Sequence, residues 1–179
     1  MKLSSAILAA GFAAFSSHLA AEEIFVTAVG LKQGPFAGEV FMKGFENKLR
    51  AVAFSHEVLT ATDATGRRLH KAIVITKRVG ASSPQFFQAW ASNEPFRTLV
   101  IDFTDSETGG AMAGAGRKLV YQITLQNAVV VRIAQRLDPA ATPLPASGPA
   151  HLEEISLSYQ AITVTYPPTG RAATDSVSR

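Results

Sequence analysis

The chain has 179 residues, with 17 Lys and Arg against 14 Asp and Glu, so its formal net charge is only +3. Hydrophobic residues make up 47% and charged residues 17%, a composition that can bury a core and excludes a disordered or acidic solvating segment. The absence of cysteine excludes disulfides, thiol catalysis and cysteine-ligated zinc.

The first 21 residues have the pattern of a secretory signal peptide. Lys2 is followed by an apolar run at residues 3–15 and then by small residues, after which cleavage is predicted at Ala21 or Ala20. A buried N-terminal helix is the alternative, whereas a membrane-spanning helix needs a longer run, about 20 residues. We therefore expect three parts, namely a signal peptide (1–21), a domain (22–166) and a polar, mobile tail (167–179), with no membrane contact after cleavage.

Strand patterns dominate the rest of the chain. β-branched and aromatic runs or strict alternation predict strands at 24–31, 49–59, 69–79, 99–103, 119–125 and 127–137. Segments rich in glycine, proline or small polar residues predict loops at 32–48, with a short extended piece at 39–42, and at 60–66, 105–116 and 138–150.

One helix of about nine residues is predicted between these strands. Ser83 is the expected N-cap, Pro84 the first helical residue, and Asn93 the end. An aromatic trio lies on one side, at Phe86, Phe87 and Trp90. A ligand platform is conceivable for this trio, but we expect it to pack in the core.

The last predicted strand changes phase. Apolar residues occupy odd positions from 155 to 159 and even positions from 162 to 166. Because side chains alternate strictly along a strand, this slip predicts a β-bulge near Gln160 and Ala161. Long antiparallel strands with one short helix indicate a mainly β fold, and we expect an antiparallel β-barrel with the helix packed on one side.

No motif with the spacing of a catalytic, cofactor or metal site occurs. The glycine-rich segment 109–118 lacks the order of a phosphate-binding loop, and the four histidines are scattered. Glu153 and Glu154 are adjacent on a strand and must face opposite sides. Five basic residues lie between 66 and 79, but no aromatic residues interleave them, so a solvated strand face or an oligomer contact is favoured over nucleic acid.

Two separated segments carry long motifs. The first reads Gly-Arg-Arg-Leu-His-Lys from Gly66, continues to Ile-Thr-Lys and then to a helix led by Ser-Pro; the second is residues 151–166. Together they resemble the Hcp family, the tube-forming proteins of bacterial type VI secretion. Ala72 stands where the family usually has proline. The residues that carry the resemblance are Gly66, Arg67, Arg68, His70, Lys71, Thr76, Lys77, Ser83, Pro84, Asn93, Glu94, Glu153 and Tyr159.

The resemblance implies a β-barrel that forms a six-membered ring and no catalytic residues. Rings would stack into a hollow tube that carries or chaperones effectors, is expelled by a contractile sheath and is tipped by a spike protein. Self-contacts of this kind join two different patches, for which the loop at 32–48 and exposed strand edges are suited.

The signal-like segment leaves the route of export open. Family members normally lack a cleaved signal, so the alternative is an orphan β-barrel binding module in the periplasm or outside the cell. In both cases the protein is expected to be secreted, from the cytoplasm or through the periplasm. An enzyme is the third and least favoured hypothesis.

Overall fold

The computed structural model describes residues 22–60, 68–106, 117–138 and 150–177. The first half contains β1 (Glu23–Gly30), β2 (Gly34–Pro35), β3 (Leu49–Ser55), β4 (Val58–Thr60), β5 (Arg68–His70), β6 (Ile73–Arg78) and α1 (Ser83–Ala91). The second half contains β7 (Phe96–Ser106), β8 (Arg117–Gln126), β9 (Val129–Asp138), β10 (Ala150–Ser158), β11 (Ala161–Tyr166), a 3-10 turn (Pro167–Thr169) and β12 (Arg171–Ser176).

One large antiparallel sheet carries the fold. Its strand order is β12-β11-β8-β7-β1-β3-β6-β10-β9, with β2 beside β1, while β4 and β5 pair only with each other. β10 and β11 lie near opposite ends of this order, yet only Tyr159 and Gln160 join them. The sheet therefore curls until its ends approach, and the Gln160 N–H donates to the Gln126 carbonyl at 3.0 Å. The predicted fold class, a mainly β antiparallel barrel type with one helix, is confirmed.

The main core fills the inside of the curled sheet. Alternation places Leu99 and Ile101 of β7 inward with Val26 of β1, and all three are almost completely buried. A smaller apolar cluster lies on the opposite face of β1, where Phe25 stacks on Phe45 at 4.6 Å. Burial of each such side chain stabilises the fold by about 1.5–3 kcal/mol. The second cluster holds the segment between β2 and β3 against the sheet.

Two predicted strands are wrong as single strands. The strand predicted at 49–59 is interrupted at His56 and Glu57, and the one predicted at 69–79 is interrupted at Lys71 and Ala72. The outer parts, β4 and β5, leave the large sheet and form a separate antiparallel hairpin. The extended piece predicted at 39–42 is also wrong, since the short strand in this loop is β2.

The C-terminal region differs from its prediction in two ways. The strand with a bulge near Gln160 is instead two strands, because the chain changes partners there, and the shift in register lies between Ser156 and Leu157. The tail predicted as mobile forms β12 over Arg171–Ser176, since the edge of β11 offers unpaired backbone groups.

Helix α1 begins one residue earlier than predicted. Ser82 is the N-cap, Ser83 is the first helical residue, and Asn93 ends the helix in the left-handed conformation at φ 52°. Phe86 is buried, whereas Phe87 is 59% exposed, so the prediction that the aromatic trio packs together in the core is wrong. Consecutive helical residues point about 100° apart, and Phe86 shares the buried side with Ala89. No helix in the described ranges is long and apolar enough to cross a membrane.

Candidate functional site

A buried ion pair ties the helix to the sheet. Lys77 of β6 and Glu153 of β10 are paired across the strands, and the Lys77 Nζ lies 2.8 Å from Glu153 Oε1. The Ser83 hydroxyl donates to the same oxygen at 2.6 Å, and the Gln135 amide donates to Glu153 Oε2 at 3.2 Å. This Lys77–Ser83–Glu153 set joins three residues of the family motif.

The charged groups of this ion pair and the Ser83 hydroxyl are engaged by further hydrogen bonds and are buried. The Lys77 ammonium also donates to the Arg78 carbonyl at 2.8 Å, and the Ser83 hydroxyl accepts from the Gly80 N–H at 2.9 Å. The ammonium and carboxylate are 5% and 1% exposed. A serine nucleophile needs a free base and access to substrate, and neither is offered here. The Ser83 hydroxyl is thus engaged by Glu153 and Gly80, and Ser82 is the N-cap.

A second buried carboxylate, Glu94, holds the turn after β1. Its Oε1 accepts the backbone N–H groups of Lys32 and Gln33 at 2.6 and 2.9 Å, and its Oε2 accepts the Gln33 amide at 3.0 Å. Burial raises the pKa of Glu94, but these donors and the Lys32 charge outweigh it and hold the pKa below the usual range. A Cβ on Gly30 would lie 2.6 Å from Oε1, so only glycine leaves room for this carboxylate.

We expect Glu94→Gln to lower the free energy of unfolding by about 1–3 kcal/mol, because an amide nitrogen would replace one acceptor oxygen and face one of the present donors, such as the partly buried side-chain amide of Gln33. Urea denaturation measures the loss. Glu46→Gln on the exposed surface is the control and should change stability by less than about 0.5 kcal/mol. Equal stability of both variants would contradict this role for Glu94.

Three motif residues meet in a third cluster. The Tyr159 hydroxyl lies 2.7 Å from His56 Nε2 and 3.2 Å from His70 Nδ1. His70 Nε2 lies 3.1 Å from Asp175 Oδ2, and Arg68 Nε lies 3.0 Å from the same oxygen. We call these five residues the histidine–tyrosine cluster. It connects the root of the β4–β5 hairpin, the junction of β10 with β11, and strand β12.

The environment of this cluster shifts three pKa values. Burial lowers the pKa of His56, and the nearby His70 lowers it further. Burial, with the charge of Asp175, raises the pKa of Tyr159 to about 12. The hydrogen bond from His70 and the charge of Arg68 lower the pKa of Asp175 although desolvation opposes them. The carboxylate is therefore charged and the phenol neutral near pH 7.

The other predicted residues are dispersed. Lys71 pairs with Glu57 at 2.7 Å on the surface, Thr76 is buried in β6, and Pro84 is exposed in the first turn of α1. Gly66, Arg67 and both predicted cleavage residues, Ala20 and Ala21, lie outside the described residues. The motif therefore marks three separate structural anchors and no single pocket.

Three of the four described residues of the basic run are paired with acids, and Arg78 is the exposed fourth. Lys77 is buried against Glu153, while Arg68 and Lys71 pair with Asp175 and Glu57. Nucleic acid is bound through clusters of free cations, and the described part of the basic run does not provide such a cluster.

Sequence reasoning missed a fourth anchor. Asp102 is 2% exposed; its Oδ2 lies 2.5 Å from the Lys48 Nζ, and its Oδ1 accepts the Gln122 amide at 2.8 Å. Asp102 occupies the outward position between Ile101 and Phe103, which could have indicated a covered outer face. Its partner Lys48 fixes the end of the loop between β2 and β3.

That loop presents an apolar surface. Phe45 and Val40 are buried against Phe25, whereas Phe41 is 91% exposed. Beside it lies a groove of about 350 Å³ lined by Glu39, Val40, Phe41, Met42, Arg50, Val52 and Arg78. Buried neighbours hold the loop in place, yet the apolar ring of Phe41 lies in water and adds nothing to the core of the single chain.

A second apolar surface lies between α1 and β9. Phe87 and Trp90 contact each other with ring centroids 5.6 Å apart, and both are about half exposed with Val131. These three residues line a groove of about 340 Å³ together with Arg132, Ile133 and Gln135. These two exposed apolar grooves in the described part of the chain belong to different elements, and a head-to-tail interface joins unlike patches of this kind.

Comparison with known proteins gives one consistent result. The family model described as "Type VI secretion system effector, Hcp" matches residues 25–166. The "Major exported protein" of Pseudomonas aeruginosa is 27% identical over 165 residues, which cover 84% of this chain and 92% of that protein.

Solved structures agree with this match. "Secreted protein Hcp3" from Pseudomonas aeruginosa superposes with a TM-score of 0.66 at 25% identity, covering 86% of this chain and 98% of that one. A mutant of Hcp1 from Escherichia coli EAEC 042 superposes with a TM-score of 0.72 at 20% identity, with coverage of 86% and 98%. The second likeness bears on the fold alone.

Proposed function

The chain belongs to the Hcp family of type VI secretion proteins, and on this premise we propose that it is a structural subunit of the secretion tube. Copies form closed rings, the rings stack, and the lumen carries or chaperones effectors. The observation that carries this proposal is the family match over nearly all of the domain from residue 22 to residue 166. Sheath and spike proteins are the further partners that the family implies.

The surface supports self-assembly through unlike patches. The loop carrying Phe41 and the groove formed by Phe87, Trp90 and Val131 belong to different elements, and both expose aromatic area. In a ring, one patch of each subunit meets a different patch of the next, and the rotation closes. The small net charge of +3 adds little repulsion between copies.

A structural role also fits the buried polar groups. The serine, lysine and glutamate that could suggest catalysis satisfy one another, with the Ser83 hydroxyl donating to Glu153 at 2.6 Å. Within the described ranges, no group of three or more metal-ligating side chains is assembled. These buried groups hold elements of the fold together, and that use supports the proposed structural role.

One observation favours a second candidate function. The signal-like pattern at residues 1–21 would direct the chain to general export, where it would act as a periplasmic or extracellular binding module outside any tube. N-terminal sequencing after cell fractionation separates the two. Cleavage after Ala20 or Ala21, with the protein confined to the periplasm, would support the module.

The dependence of secretion on contraction of the sheath tests whether this chain is a subunit of the tube. An epitope-tagged chain should appear in the medium of cells with an intact sheath and remain cell-associated when the sheath protein is deleted. A periplasmic protein of the same cells, absent from the medium, controls for lysis. Equal release from both strains would contradict the proposed function.

A further inference from the structure

The hydrogen positions in the histidine–tyrosine cluster follow from its geometry. The Asp175 carboxylate can only accept, so the His70 Nε2, 3.1 Å away, must carry a proton. In neutral His70 the Nδ1 is then an acceptor, and the Tyr159 hydroxyl donates to it at 3.2 Å. Because the phenol has one proton, its oxygen accepts from His56 Nε2–H at 2.7 Å. The Tyr159 hydroxyl therefore accepts one hydrogen bond and donates one, and no two donors face each other across it.

One added proton can be accommodated. When His70 gains a proton at Nδ1, its N–H donates to the Tyr159 oxygen. The phenol proton then turns to His56 Nε2, provided that His56 adopts the other neutral tautomer. The hydrogen bond from His70 to Asp175 then becomes an ion pair, and the three groups that meet at the Tyr159 hydroxyl keep their hydrogen bonds.

A second added proton cannot be accommodated. Both nitrogens that face Tyr159 would then be donors, and within the cluster the phenol proton would have no acceptor. The two imidazole rings, 6.3 Å apart, would both be cationic, and with Arg68 they would set three positive charges against the single negative charge of Asp175. The Glu57–Lys71 pair that flanks the cluster contributes no net charge.

The histidine–tyrosine cluster joins two weakly held elements, the β4–β5 hairpin and β12, to the rest of the sheet. His56 precedes β4 and His70 ends β5, so both lie at the root of the β4–β5 hairpin. Among the described strands this hairpin pairs with no other, and it exposes Val58, Leu59 and Leu69 by 41–47%. Strand β12 is an edge strand whose side chains are exposed apart from the half-buried Asp175. Both elements have little burial to hold them, so opening there costs less than opening the core.

We propose that the histidine–tyrosine cluster is a proton-sensitive clasp, which holds the β4–β5 hairpin and β12 on the sheet and opens when both imidazoles are protonated. Neutral and singly protonated clusters keep the clasp closed. The lowered pKa of His56 agrees with this order, because it means that the folded chain resists the proton on His56. Since the unfolded chain binds that proton more readily, acidification through the ordinary imidazole range near 6.5 lowers stability at this site.

Hydrogen–deuterium exchange of the full chain tests the clasp. Exchange is compared at about pH 7.5 and about pH 5, on either side of the ordinary imidazole pKa, with exchange times scaled for the intrinsic pH dependence. Amides in residues 57–60, 68–71 and 171–177 should exchange at least about tenfold faster at the lower pH, while those of β7 and β8 stay protected. Unchanged protection of the hairpin and β12 would overturn the proposal.

Matched variants locate the effect. His56→Gln retains a donor to Tyr159 but cannot gain a charge, so it should remove the loss of protection at low pH. His151→Gln changes an exposed histidine outside the cluster and should leave the loss intact. Tyr159→Phe deletes the bridging hydroxyl and should make the hairpin exchange quickly at both pH values. The proposal is wrong if His56→Gln responds to pH as the wild type does, or if Tyr159→Phe keeps the hairpin protected.

Discussion

Replacing Glu153 by alanine should lower the free energy of unfolding by about 3–5 kcal/mol, because the buried Lys77 ammonium would be left without its counter-ion. Lys77 is only 5% exposed and lies 2.8 Å from the carboxylate that would be lost. The Ser83 hydroxyl would lose its acceptor as well, and with it the tie between α1 and the sheet. Urea denaturation followed by circular dichroism measures the loss.

The neighbouring residue provides the control. Glu154 faces the other side of β10, where it pairs with Arg132 and Arg136, both about half exposed. Hydrogen bonds from Arg136 and Arg132 lower the pKa of Glu154, but solvent screens such pairs, so Glu154→Ala should cost at most about 1 kcal/mol. Similar losses for the two variants would refute the claim that Glu153 is the buried anchor.

Replacing Phe86 by alanine should cost about 3–5 kcal/mol, since it leaves a cavity where α1 packs on the sheet. Its ring is 2% exposed and meets Phe36 edge to face, with centroids 4.9 Å apart. The loss should appear as a lower midpoint in urea with little change in slope.

Phe87→Ala is the matched control, one residue further along the helix. Because Phe87 is 59% exposed, its loss should change the stability of a single chain by less than about 0.5 kcal/mol. If the groove between α1 and β9 is an assembly surface, the same variant should weaken self-association. A large loss of monomer stability from Phe87→Ala would show that the helix packs differently.

Much of the fold could be predicted because buried apolar residues recur in the sequence at the period of the strand or helix that they belong to. The alternation of Leu99, Ile101 and Phe103 identified β7, and the phase slip after Tyr159 marked the place where the chain changes partners. The slip could not reveal that β10 and β11 pair at opposite ends of the strand order, since pairing depends on strands far away in the chain.

The site could be predicted only in part. The family resemblance pointed to Lys77, Ser83, Glu94 and Glu153, all of which are buried anchors. It did not point to Asp175, which lies in the segment predicted as a tail and is 105 positions from its partner His70. The prediction that the aromatic trio packs in the core was wrong for a local reason, because Phe86 and Phe87 are consecutive and cannot face the same side of a helix.

Native mass spectrometry of the purified protein at high concentration tests the central claim most directly. A tube subunit should give closed rings of one stoichiometry, six chains as the family implies, with stacks of rings as the concentration rises. Electron microscopy of the same sample should show annular particles with a central lumen. A strict monomer at every concentration would contradict the assignment to a secretion tube.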